Sequence, residues 1–202
     1  MTKIKLCGLS QACDIEGANL LQPDYVGFVF ARKSRRCVAP EQARELKKLL
    51  RPEIRAVGVF VDETPESVAR LLNSGVIDLA QLHGSEDAEY IRRLRGLTGS
   101  PLIQAFRVRS KEDLCRAAAS TADEILLDAG AGTGTVFDWS LLRNMERRYF
   151  LAGGLSPENV REAIRDLHPY GVDVSSGIET DALKDRRKMA AFVAAVREED
   201  RR

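Results

Sequence analysis

Apolar residues along the chain fall into short runs of strand length, separated by stretches where they recur at helical spacing. The runs predict strands at Lys3–Leu9, Tyr25–Phe30, Arg55–Val61, Leu79–Leu82, Leu102–Phe106, Glu124–Asp128, Phe150–Ala152 and Gly171–Ser175. Most carry β-branched or aromatic residues and stop at turn residues, as buried strands do. Between them, Val160, Ala163, Ile164 and Leu167 stand at i, i+3, i+4 and i+7, as do Met189, Phe192, Val193 and Val196. Such a stripe covers one face of an amphipathic helix. Val68, Leu71 and Leu72 make a shorter version of it.

Local start signals support these boundaries. Thr64-Pro65-Glu66 and Ser156-Pro157-Glu158 each read as an N-cap, a proline at the first helical position and an acid in the first turn. Ser85-Glu86-Asp87 puts two acids where a helix dipole favours them, and Ser110 with Asp113 has capping-box spacing. Eight strands alternating with eight helices, roughly one pair per 25 residues, predict a compact (β/α)8 barrel. Such barrels usually run to about 250 residues, so short loops are expected here. A doubly wound open sheet obeys the same local pattern, and the number eight favours closure. No low-complexity tract or composition shift interrupts the chain, so residues 1–202 are expected to form one domain.

Composition narrows the partners. The 202 residues are 44% hydrophobic and 30% charged, too apolar for a disordered chain. Thirty-one basic against 30 acidic residues leave a formal charge of +1, with no electrostatic footprint for nucleic acid or an anionic membrane. No apolar run is long enough to cross a bilayer and the start has no signal-peptide pattern, so a cytoplasmic location is expected. Cys7, Cys13, Cys37 and Cys115 fit neither a zinc spacing nor C-x-x-C and are expected as free thiols. His83 and His168 stand far apart without a carboxylate pattern, so no metal site is expected.

Function in a (β/α)8 barrel sits at the C-terminal ends of the strands. The first strand ends at Cys7-Gly8, where a thiol can enter the mouth; the plain alternative is a small buried hydrophobe. Arg32, Lys33, Arg35 and Arg36 follow the second strand, as either a solvated loop or an anchor for a planar carboxylate. The sixth strand ends at Asp128, followed by glycines at 130, 132 and 134, with Asp138 as the expected cap of the next helix. A dinucleotide loop would instead open the first βαβ unit. Asp128 itself could be a loop-capping acid. Gly153-Gly154 and Ser176-Gly177 follow the last two strands, where this fold usually holds phosphate on backbone N–H groups. A small phosphorylated molecule is the expected ligand.

Taken in order, Lys5-Leu6-Cys7-Gly8, Ser34-Arg35-Arg36, Gln81-Leu82-His83-Gly84, Leu127-Asp128, Gly132-Thr133-Gly134, Phe137-Asp138-Trp139, Ala152-Gly153-Gly154-Leu155 and Asp173 through Glu179 resemble the phosphoribosylanthranilate isomerases. The resemblance spans residue 3 to about 193. It implies a cofactor-free Amadori rearrangement in tryptophan biosynthesis, by a monomer or homodimer. It implies Cys7 as general base, Asp128 as general acid and Arg36 as the anchor of the anthranilate carboxylate. Asp173 would lie near the substrate, and Gly153, Gly154, Ser176 and Gly177 at its phosphate. Arg35 stands where the family commonly has proline, and Ala131 where it has glycine. The alternatives are another phosphosugar barrel, such as the histidine-pathway ribotide isomerase, or a non-catalytic phosphometabolite binder. The former typically has aspartate where Cys7 stands, and the latter has no need of two proton-transfer groups.

Overall fold

The computed structural model describes residues 1–130, 139–143 and 145–202. Eight parallel strands pair in chain order: β1 (Lys3–Cys7), β2 (Tyr25–Val29), β3 (Arg55–Phe60), β4 (Leu79–Leu82), β5 (Leu102–Arg107), β6 (Glu124–Asp128), β7 (Tyr149–Ala152) and β8 (Gly171–Val174). β8 pairs back onto β1, with Asp173 opposite Lys5, so the sheet is a closed barrel and has no open edge. Among the described residues, seven α-helices lie outside the strands: α1 (Ala12–Leu21), α2 (Pro40–Leu49), α3 (Pro65–Asn73), α4 (Ala88–Arg95), α5 (Lys111–Ala118), α6 (Val160–Leu167) and α7 (Arg186–Glu199). A small antiparallel ribbon, β9 (Glu179–Thr180) with β10 (Leu183–Lys184), precedes α7.

Parallel strands covered on both faces read as continuous apolar runs, which is why β2 and β4 are buried along their whole length. Alternate side chains then divide between two cores. Tyr25, Val57, Leu79, Ile103, Leu126 and Phe150 come from six strands and no helix, and they fill the barrel lumen. The complementary positions pack against the helices: Val160, Ala163, Ile164 and Leu167 of α6 are all buried, as are Met189, Phe192, Val193 and Val196 of α7. Each large apolar side chain withdrawn this way contributes about 1.5–3 kcal/mol.

Three local expectations need correction. One helix was expected in every connection, but among the described residues the β6–β7 link holds only the 3-10 helix Trp139–Leu142. Its core-facing residues, Trp139 and Leu142, are three apart, which suits three residues per turn. Asp138, Ala131 and Gly132-Thr133-Gly134 lie outside the described residues. Ser156-Pro157-Glu158 is a turn rather than a helix start, because Asn159 Oδ1 accepts the Ser156 N–H at 2.8 Å and α6 begins after it. Asp87 alone caps α4, accepting from the Tyr90 N–H at 2.8 Å. Glu86 instead accepts the N–H groups of Asp62 and Gly84, tying the loop after β3 to the loop after β4. The Thr64 cap and the Ser110–Asp113 capping box form as expected.

Candidate active site

β1 alternates its side chains across the sheet, so Lys5 and Cys7 share the lumen face. Cys7 lies opposite Gly27 of β2, and a Cβ on Gly27 would sit 2.6 Å from its sulfur. Glycine there makes the space that the thiol fills. In the layer beneath, Lys5 is fully buried and its Nζ lies 2.8 Å from Asp173 Oδ1. Burial alone would strip the Lys5 proton, but Asp173 and Cys7 outweigh it and hold the ammonium above the usual lysine range. Burial pushes the Cys7 thiol up, opposed by the charges of Lys5 and Lys184.

Asp128 closes β6. Its Oδ1 accepts the Gly130 N–H at 2.9 Å, and its Oδ2 lies 3.4 Å from His83 Nε2 at the end of β4. Gln81 Nε2 is 3.3 Å from His83 Nδ1 on the other side of the ring. Burial would raise the Asp128 carboxyl; His83, the Gly130 N–H and the Arg107 charge together hold it below the usual carboxylate range. The turn after β7 crowds this group from the other side. Gly153, at φ +92°, approaches so closely that a Cβ would lie 2.5 Å from Asp128 Oδ1 and 2.2 Å from the Gly130 nitrogen.

Arg36 reaches the rim from the loop after β2. Its Cδ rests on Gly8 (φ +78°), where a Cβ would lie only 2.5 Å away. Its guanidinium meets a partner absent from the sequence reading: Nε donates to Glu179 Oε1 at 2.6 Å and Nη2 to Oε2 at 2.8 Å. Arg35 Nη2 and Lys184 Nζ bind the same carboxylate, each at 2.7 Å. Burial would raise the Glu179 carboxyl, but hydrogen bonds from Arg36 and Lys184 bring it down to about 2.

The turns after β7 and β8 press together, since a Cβ on Gly177 would lie 2.0 Å from the Leu155 carbonyl oxygen. Gly154, exposed and at φ +69°, has open space before it. Among the described residues, the N–H groups of Gly154, Ser176 and Gly177 have no backbone acceptor, so they remain able to bind an anion.

Cys7, Arg36, Asp128, Gly153, Gly154, Ser176 and Gly177 therefore belong to the C-terminal rim, whereas Asp173 lies below it and spends one oxygen on Lys5. Lys5, His83, Glu179 and Lys184 were missed as functional side chains. A lysine at a lumen position of an apolar strand was a readable signal; Glu179, 143 residues from Arg36, gave none.

Fold and rim together define a (β/α)8-barrel enzyme whose polar groups gather at the strand C-termini. The family described as N-(5'-phosphoribosyl)anthranilate isomerase matches residues 4–195. The N-(5'-phosphoribosyl)anthranilate isomerase of Acetivibrio thermocellus is 45% identical over 214 aligned residues, covering 99% of this chain and 98% of its own. The crystal structure of the Thermotoga maritima phosphoribosyl anthranilate isomerase superposes with a TM-score of 0.90 at 37% identity, covering 98% of this chain and 100% of the other. A structure of the same kind of enzyme in complex with reduced 1-(o-carboxyphenylamino)-1-deoxyribulose 5-phosphate gives 0.88 at 37% identity and the same coverage. The chain belongs to the N-(5'-phosphoribosyl)anthranilate isomerase family, and it is an isomerase. Among the described residues, no helix is long and apolar enough to cross a membrane.

Proposed function

We propose that the protein converts N-(5'-phosphoribosyl)anthranilate to 1-(o-carboxyphenylamino)-1-deoxyribulose 5-phosphate in tryptophan biosynthesis, with Asp128 as general acid and Cys7 as general base. The observation that carries this division of labour is that Cys7 ends β1 and Asp128 ends β6 on the same rim of one closed barrel.

A proton delivered to the furanose oxygen lets the C1–O bond break and leaves a protonated Schiff base at C1. Asp128 donates that proton from its carboxyl, with His83 Nε2 3.4 Å from Oδ2. The Cys7 thiolate then removes the proton from C2, and the C2–H electron pair moves toward C1 to give the enolamine. Tautomerisation leaves C2 as the ketone. C1 is reduced and C2 oxidised within one molecule, so no external electron carrier enters the balance. A base must be ionised to act, and the ammonium groups of Lys5 and Lys184 favour the thiolate against burial. Arg36 holds the anthranilate carboxylate, and the N–H groups of Gly154, Ser176 and Gly177 hold the phosphate.

Loss of the substrate's anthranilate fluorescence on incubation with N-(5'-phosphoribosyl)anthranilate tests the reaction, run beside the histidine-pathway ribotide. Turnover of the first substrate is expected; turnover of the second alone would overturn the proposal. Inorganic phosphate should inhibit competitively, because backbone N–H groups accept any small tetrahedral anion.

A further inference from the structure

Glu179 is buried, yet each of its two carboxylate oxygens accepts two charge-assisted hydrogen bonds: Oε1 from Arg36 Nε and Lys184 Nζ, Oε2 from Arg36 Nη2 and Arg35 Nη2. A fourth cation, Lys188, fixes the backbone, donating from Nζ to the Glu179 carbonyl at 2.7 Å. The two-residue hairpin at Asp181-Ala182, both at positive φ, pairs Lys184 directly with Glu179. Two separate stretches of chain are thereby locked onto one carboxylate.

The geometry points to Glu179 as the positioning residue that orients the Arg36 guanidinium and so sets where the aryl carboxylate of the substrate binds. A guanidinium carries five N–H donors in a fixed plane. Glu179 takes the edge formed by Nε and Nη2. The edge formed by Nη1 and the remaining Nη2 proton has no acceptor among the described residues, and it suits a planar carboxylate bidentately. The aliphatic stem is confined against Gly8, so the guanidinium has little freedom left once Glu179 grips it. Glu179 does not cancel the attraction for an anion. Three cations share its single negative charge, and the cluster keeps an excess of two positive charges. Orientation is gained without losing the electrostatic pull.

This inference rests on Arg36 as the carboxylate anchor, and the test separates the two. Binding of reduced 1-(o-carboxyphenylamino)-1-deoxyribulose 5-phosphate would be compared with binding of the same molecule lacking the ring carboxylate. Glu179→Gln should weaken the carboxylated ligand roughly tenfold, the order of one misdirected charge-assisted contact. The carboxylate-free ligand should bind as to the unaltered protein. Glu179→Asp retains the buried charge beside Lys184 but shortens its reach, and it should show the same selective loss if the glutamine variant folds poorly. Equal weakening of both ligands, or of neither, while Arg36→Met weakens only the carboxylated one, would overturn the role of Glu179. Arg36→Met without any preference between the ligands would remove the anchor and this inference with it.

Discussion

Lys5 and Asp173 face each other across the β1–β8 pairing, Nζ to Oδ1 at 2.8 Å, with the Lys5 side chain fully enclosed one layer below Cys7. Taking an ammonium out of water is costly, and a single carboxylate offsets that cost only with close geometry. Burial still pushes the Cys7 thiol up, and the Lys5 ammonium beneath it opposes that push while the Asp173 carboxylate adds to it.

Lys5→Met should therefore move the acid limb of the pH profile of kcat/KM to higher pH, since the free thiol loses a neighbour that favours its anion. It should also cost about 3–5 kcal/mol of stability by orphaning Asp173. Adding Asp173→Asn should recover part of the stability and, by removing a negative charge that raises the thiol, bring the limb part of the way back. A lower rate at every pH with an unmoved limb would make Lys5 purely structural.

Gly153 abuts Asp128 more closely than any side chain would allow. Gly153→Ala must push the acid, the Gly130 nitrogen or the turn itself aside, and its positive φ disfavours alanine as well. An ångström of misplacement can cost about a hundredfold in rate, so kcat should fall by that order. Gly154→Ala, with open space in front of it, should act mainly on KM through the phosphate. Steady-state kinetics of the two variants check the contrast.

Ala182 sits at φ +66° at the tip of the hairpin that presents Glu179 and Lys184, and it is exposed. The left-handed conformation costs a residue with a Cβ about 1–2 kcal/mol, whereas the extra chain entropy of glycine costs about 0.5–1 kcal/mol. Ala182→Gly should stabilise the fold by about 0.5–1 kcal/mol, a rise in Tm of roughly 1–4 °C for a chain of this length. Calorimetry measures it directly.

Glu179 titrates at about 2 in the folded protein, against 4.5 as its ordinary value. A depressed carboxyl contributes stability that is present above pH 4.5 and lost as pH falls toward 2. That contribution is at most about 3 kcal/mol, less whatever solvent screens at the rim. The stability difference between the unaltered protein and Glu179→Gln, from urea midpoints, should shrink across this window. A difference independent of pH would contradict the ionic account.

The barrel was legible because its signals are local. Leu79–Leu82 and Glu124–Asp128 are strands with the boundaries their apolar runs suggest, and the α6 and α7 stripes need only a period of 3.6. Boundaries shifted where the backbone left the extended region: β1 stops at Cys7 rather than Leu9 because Gly8 turns away at φ +78°. Strand-end position and family resemblance singled out Cys7, Asp128, Arg36 and the phosphate turns. What could not be read were partnerships made by closure. Glu179 reaches Arg36, and His83 reaches Asp128, only because the rim brings distant loops together. Neither contact leaves a trace in local sequence.

The division of proton transfer between Cys7 and Asp128 is tested most directly by the turnover numbers of Cys7→Ala and Asp128→Asn with N-(5'-phosphoribosyl)anthranilate near neutral pH. A positioned acid or base contributes about 10²–10⁴-fold, and each substitution should lower kcat by that amount while circular dichroism shows the barrel intact. A kcat within about threefold of the unaltered protein in either variant, far below the usual worth of such a group, would contradict that residue's role.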